Sequence, residues 1–198
     1  MDSSKLAVKF YADESSDVSA DEVVPVFHSW IQERALADHM LIDVADYSHV
    51  PDGPGAVLVA REANIHLDRF DKQLGLRYSH KQRLEGSFSD RLRLVFRAAL
   101  RACELLEQNT TLGGRIRFRT DQASFQINDR LLAPNTTHTF DALKPELNRF
   151  LTELYGEVRV EHRQDDPKKL FEVFIRSNAN PDITTLLSRL NSARPAVV

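Results

Sequence analysis

The sequence predicts an α+β fold: two related strand-helix-strand-strand-helix units forming a mixed, mostly antiparallel sheet with helices on one face. Three observations lead there. Apolar residues alternate with period two in several short runs and recur at helical spacing in longer ones. The segment Asp21-x3-Pro25-x-Phe27-x2-Trp30-Ile31-x-Glu33 lines up without gaps on Asp141-x3-Pro145-x-Leu147-x2-Phe150-Leu151-x-Glu153, as an internal duplication would. No glycine-rich loop follows the first strand, and strands outnumber crossover helices, which argues against a doubly wound nucleotide-binding sheet. The competing explanation of the repeat is plain helix-start chemistry, since Asp and Pro recur wherever helices begin.

From Lys5 to Tyr11, Leu6, Val8 and Phe10 alternate with Lys5, Ala7 and Lys9, the pattern of a half-buried strand. After an acidic, Ser-rich loop, Val23, Phe27, Trp30 and Ile31 predict a helix from about Asp21 to Leu36, with Pro25 in its first turn. Met40, Ile42 and Val44 predict a second strand, and the continuous apolar run Ala56 to Ala60 a central one. Leu74 to Ser79 reads as a further strand. The strongest helix opens at Ser87 or Ser89 and runs to about Gln108, with Leu92, Val95, Phe96, Ala99, Cys103 and Leu106 as its apolar stripe. Arg115 to Arg119 and Ser124 to Asn128 look like a hairpin. A third helix carries Leu143 to Leu154 and stops at Gly156; strands near Glu157 to Arg163 and Leu170 to Arg176 follow, then a short helix to about Leu190. The expected division is residues 1–110 and 111–192, packed as one compact unit, with a flexible tail at 193–198.

The chain has 198 residues, 42% hydrophobic and 28% charged, with 7 Gly, 8 Pro and 1 Cys, which excludes collagen-like, disulfide-stapled and long disordered classes. At this length about 70% of the unfolded chain's surface is buried on folding, enough for a core without metal or disulfide staples. The single Cys103 sits among apolar neighbours and suits a reducing compartment; no run approaches membrane-spanning length, so a soluble, cytoplasmic protein is expected. A net charge of -3 gives no general attraction to nucleic acid or anionic membranes.

The loop Tyr47-Ser48-His49-Val50-Pro51-Asp52-Gly53-Pro54-Gly55 is the densest stretch of special residues. Its glycines and prolines fix a backbone path that presents Tyr47, His49 and Asp52 at the ends of two core strands. The same vocabulary also builds a rigid hairpin connection. The first half is richer in titratable groups, with His28, His39, His49, His66 and His80 beside Asp43, Asp46 and Glu62. From these, Tyr47, His49, Asp52, Glu62 and His66 form the candidate site, with acid-base or ligand roles and Arg77 or Lys81 as an anion partner. Scattered surface histidines are the plainer reading, because no His-Glu-x-x-His, paired-Cys or nucleophile-elbow spacing supports the site. No metal and no cofactor is expected.

Six basic residues between Lys81 and Arg101 (Lys81, Arg83, Arg91, Arg93, Arg97, Arg101) face two acids, and Arg115, Arg117 and Arg119 fall on one strand face. Such guanidinium groups suit a small anionic ligand. Mixed-sign pairing on a solvated sheet face is the alternative, and without interleaved aromatics nucleic-acid binding ranks last. The leading expectation is a non-catalytic ligand-binding or assembly module, with self-association as one form of partnership. A small-molecule enzyme built around the Tyr47 to Gly55 loop is the alternative.

Overall fold

The computed structural model describes residues 5–50, 53–164, 166 and 168–192. Asp52 of the candidate loop and the expected tail at 193–198 lie outside the described residues. In chain order the elements are β1 (Leu6–Ala12), α1 (Ala20–Glu33), β2 (Leu41–Tyr47), β3 (Gly55–Ala60), β4 (Ala63–Asp68), β5 (Gly75–His80), α2 (Phe88–Glu107), β6 (Phe118–Ile127), α3 (Thr137–Tyr155), β7 (Val158–His162), β8 (Phe171–Ser177) and α4 (Ile183–Ser192). A 3-10 turn over Phe70–Lys72 precedes β5.

Among the described residues the strands form one sheet of eight, in the order β2-β3-β4-β5-β1-β6-β8-β7, and every neighbouring pair is antiparallel. The α+β class therefore holds, without the parallel neighbours that a mixed sheet would contain. Register carries one row of side chains across all eight strands on the helix-covered face: Val44, Leu58, Ile65, Tyr78, Val8, Phe125, Val173 and His162. Over this face α2 packs its apolar stripe, with Phe96 edge-on to Phe10 of β1 at 6.0 Å and to Phe150 of α3 at 5.3 Å. Ser87 caps α2: its Oγ accepts from the Asp90 N–H, and the Asp90 carboxylate accepts from the Ser87 N–H at 3.0 Å.

Three expectations change in detail. The stretch after Ala60 pairs as β4, placing Ala63, Ile65 and Leu67 in the core while Asn64 and His66 face away. The hairpin expected between Arg119 and Ser124 is instead one continuous strand, β6. Its alternation changes phase at Asp121 and Gln122 because the register with β1 shifts between Phe10 and Ala12, a bulge rather than a turn. Pro25 lies beyond the first turn of α1, and α3 starts at Thr137, capped by Thr136, so Asp141 and Pro145 fall inside that helix. Each proline removes a backbone donor from the helix interior.

The opposite, helix-free face is less open than β1's alternation implies, since Ala7, Lys9 and Tyr11 are all buried. The segment after β4 folds over it. Lys9, only 2% exposed, donates to Asp68 Oδ1 at 2.7 Å and to the carbonyls of Phe70 and Gln73 at 2.9 Å each. Asp71, at the crest of this segment, pairs with Arg163 at 3.2 Å. Along the free edge of the sheet, Ile42 and Tyr47 of β2, with Met40 and Val50 beside them, are exposed.

Candidate functional site

The sequence candidates do not converge. Tyr47 pairs with Gly55 at the start of β3, and His49 lies exposed in the turn just beyond. Glu62 follows the far end of β3; six residues of strand put the two ends about 20 Å apart. His66 stands in register with Val57 and Arg77 on the helix-free face, whereas Glu62 lines a cavity on the helix side. Tyr47 and Ser48 border a separate groove with Arg69 and Lys72.

The anion candidates are engaged within the protein. Arg77 pairs with Asp68 at 3.2 Å and stacks over Phe70. Lys81 donates to the Ala60 carbonyl at 2.5 Å. Arg115 pairs with Glu22 at 2.5 Å, Arg117 with Glu107 at 3.5 Å and Arg119 with Asp121 at 2.9 Å. The three arginines do not share a strand face, since Arg115 and Arg117 precede β6 and only Arg119 lies on it, and each is neutralised by its own neighbour.

His66 has a consequence for stability instead. Burial, then the adjacent Arg77 guanidinium, outweigh the pull of Asp68 and hold its pKa down at about 4, against an ordinary 6.5. Between pH 6.5 and 4 the unfolded chain binds the proton and the folded chain does not, so stability is full above 6.5 and falls as pH drops through this window. The loss amounts to up to about 3 kcal/mol. Urea unfolding at pH 7 and at pH 4.5 should show a smaller acid loss in His66→Gln than in the natural protein; equal losses would contradict this assignment.

A cavity of about 600 Å³ lies between the segment after α1, the end of β5, and helices α2 and α4. Leu36, Leu94, Ala98 and Leu187 provide apolar walls, and the polar groups gather at two places. At one, three side chains form a chain of hydrogen bonds: His39 Nε2 lies 2.8 Å from the Tyr78 hydroxyl, which lies 3.0 Å from His80 Nδ1. Local structure explains this placement. Tyr78 and His80 are two apart on β5 and so share the core-facing side. Arg34 closes α1 in a left-handed conformation, and the turn that follows, with the His39 N–H on the Leu36 carbonyl at 3.0 Å, brings His39 over them.

Burial dominates the electrostatics of this chain. It lowers the pKa of His39 against the opposing pull of Glu62 and Asp38, and it lowers that of His80, helped by His39 and opposed by Glu62. It raises that of Tyr78, with Glu62 and Asp38 adding to the effect. All three groups are consequently neutral around pH 7. Burial also works against ionisation of Glu62, but the N–H of Met40, 3.0 Å from Oε2, holds its carboxyl below the usual range.

At the other place stand Arg97 and Arg101 of α2. Arg93, Arg97 and Arg101 recur every fourth residue and share a helix stripe. Arg93 reaches Glu153 at 3.5 Å and Arg101 pairs with Glu104, but Arg97 has no hydrogen-bond, ion-pair or ring partner among the described residues. A half-buried guanidinium without a counter-ion is an open position for an anion.

The basic run Lys81 to Arg101 and the first-half histidines already contained Arg97, Arg101, His39 and His80, but not Tyr78; what the sequence lacked was any spacing that joined His39 to β5 or either to α2. Among the described residues no group of three or more His, Cys, Asp and Glu is placed to hold a metal ion. No helix among them is long and apolar enough to cross a membrane. Burial raises the Cys103 thiol well above its ordinary pKa, so it is no thiolate nucleophile.

Fold and cavity together define a class: a single antiparallel sheet, helices on one face, and a mostly apolar helix-side cavity with three hydrogen-bonded neutral side chains and a cation that has no partner among the described residues. No protein-family model matches the chain, and no curated protein is similar to it in sequence.

Proposed function

We propose that the protein binds a small organic anion with an apolar body in the cavity between β5, α2 and α4. The observation that carries this reading is Arg97, a cation without a partner among the described residues at the wall of a cavity with apolar sides. A volume of about 600 Å³ is in the range that encloses metabolite-sized molecules. The carboxylate or similar head group pairs with Arg97, the body lies against Leu94, Ala98 and Leu187, and the His39–Tyr78–His80 chain faces a hydrogen-bonding group at the other end. This places ligand recognition on the helix side, away from the Tyr47 to Gly55 loop.

Anilinonaphthalene sulfonate has the required chemistry, an aromatic body with one fixed negative charge. Fluorescence titration of the natively folded protein should give saturable binding, displaced by phenylpyruvate and by octanoate. Arg97→Leu should weaken binding about tenfold or more. The same change should alter unfolding stability by less than about 1 kcal/mol, because no partner is lost. Absence of saturable binding, or equal affinity in Arg97→Leu, would overturn the proposal.

A further inference from the structure

The three-residue chain in the cavity has a property beyond binding. A tyrosine hydroxyl holds one proton, so between two neutral imidazoles it donates to one and accepts from the other. If it donates to His80 Nδ1, His39 carries its proton on Nε2, and both rings are protonated on Nε2. If it donates to His39 Nε2, both rings are protonated on Nδ1. The outer nitrogens, His39 Nδ1 and His80 Nε2, have no partner among the described residues. In either arrangement one outer nitrogen bears a lone pair and the other a proton.

We infer that His39, Tyr78 and His80 form a bifunctional proton relay that catalyses a 1,3-proton shift, keto–enol tautomerisation, in a small carbonyl compound with an anionic group. The inference rests on the binding reading for its substrate, and the chemistry balances without a co-reactant. His39 Nδ1 takes the proton from the carbon next to the carbonyl. The C–H electron pair becomes the carbon–carbon π bond, and the carbonyl π pair moves onto oxygen, which takes the proton of His80 Nε2. At the same time the His39 Nε2 proton passes to the tyrosine oxygen and the tyrosine proton to His80 Nδ1. Substrate and relay each end neutral apart from the anionic group; only the proton positions have changed, and the relay stands in its other arrangement, ready for the reverse reaction. Burial supports this by keeping both imidazoles unprotonated near neutral pH. Asp38, Glu62, Arg97 and Arg101 are the charged groups that share the cavity.

Phenylpyruvate fits the class: it has an aromatic body, a carboxylate for Arg97 and an exchangeable C–H beside a ketone. In deuterated buffer, the protein should accelerate deuterium incorporation at that carbon, followed by proton NMR, and Tyr78→Phe should reduce the acceleration by about 10²-fold or more. His28→Gln, an exposed histidine on α1, should leave it unchanged. Tyr78→Phe should still bind anilinonaphthalene sulfonate, which separates loss of relay from loss of fold. Nitrogen-15 spectra of the imidazoles should assign His39 and His80 to the same tautomer. Displacement of the fluorophore by phenylpyruvate with no accelerated exchange, or opposite tautomers in the two rings, would overturn the relay while leaving the binding reading intact. Failure of every anion to bind would remove both.

Discussion

Lys9→Met should lower the unfolding free energy by about 3–5 kcal/mol, the usual consequence of removing one partner from a buried ion pair. Lys9 Nζ has its three protons on three acceptors, the Asp68 carboxylate and the Phe70 and Gln73 carbonyls. Methionine replaces the apolar stem as far as Cε but leaves the Asp68 carboxylate, itself only 2% exposed, with the Arg77 guanidinium and the Phe70 N–H. It also strips two carbonyls of a donor. Because burial itself lowers the Lys9 pKa against the pull of Asp68, the intact pair is a compromise between desolvation and attraction. Lys9→Met with Asp68→Leu should therefore recover part of the loss, since no buried carboxylate then remains. Urea unfolding of the three proteins checks this; a single-variant cost below about 1 kcal/mol would show that the lysine does not hold the covering segment.

Gly55→Ala should cost about 3–5 kcal/mol, from two sources that add. Gly55 has φ +66°, and a Cβ built there would stand 2.1 Å from the Leu67 carbonyl oxygen of the neighbouring strand. Backbone cannot swing aside as a flexible side chain does, so β3 and β4 must part where they pair Ala56 with Leu67. Gly114→Ala is the natural control. It has φ +73° with nothing within 4 Å, so only left-handed strain applies, about 1–2 kcal/mol. Similar costs at both positions would contradict the steric part.

These two residues also show what the sequence could and could not reveal. Gly55 was legible as a turn glycine at the entry to an apolar strand, and the structure places it there. Lys9 was legible only as the outward member of an alternating strand, because period-two patterning tells which side a residue faces but not what later folds over that side. Asp68 at the end of β4 and Phe70 in the covering segment beyond it meet Lys9 across some sixty residues of chain. Similarly, the phase change at Asp121 and Gln122 carried real information, but a bulge and a turn interrupt alternation alike. α2 was read closely, with Ser87 as one of two candidate starts and with its full stripe, because both are local signals.

The cavity was legible as ingredients rather than as a site. Tyr78 falls in the strand expected from Leu74 to Ser79, which stops one residue short of His80 at the end of β5, and Arg97 stands in the basic stretch noted from composition. His39 comes from a turn thirty-odd residues earlier whose position depends on how α1 ends. The loop from Tyr47 to Gly55 drew attention through glycine and proline, residues that report backbone shape; the relay is made of side chains in ordinary elements, where no such marker exists.

Chemical-shift mapping with nitrogen-15-labelled protein and phenylpyruvate tests the helix-side cavity most directly. Titration should move the resonances of His39, Tyr78, His80, Leu94, Ala98 and Leu187, with the side-chain signal of Arg97 among the largest changes. Perturbations confined to Tyr47, Ser48 and His49, or to the helix-free face around His66 and Arg77, would contradict the account and move the site elsewhere.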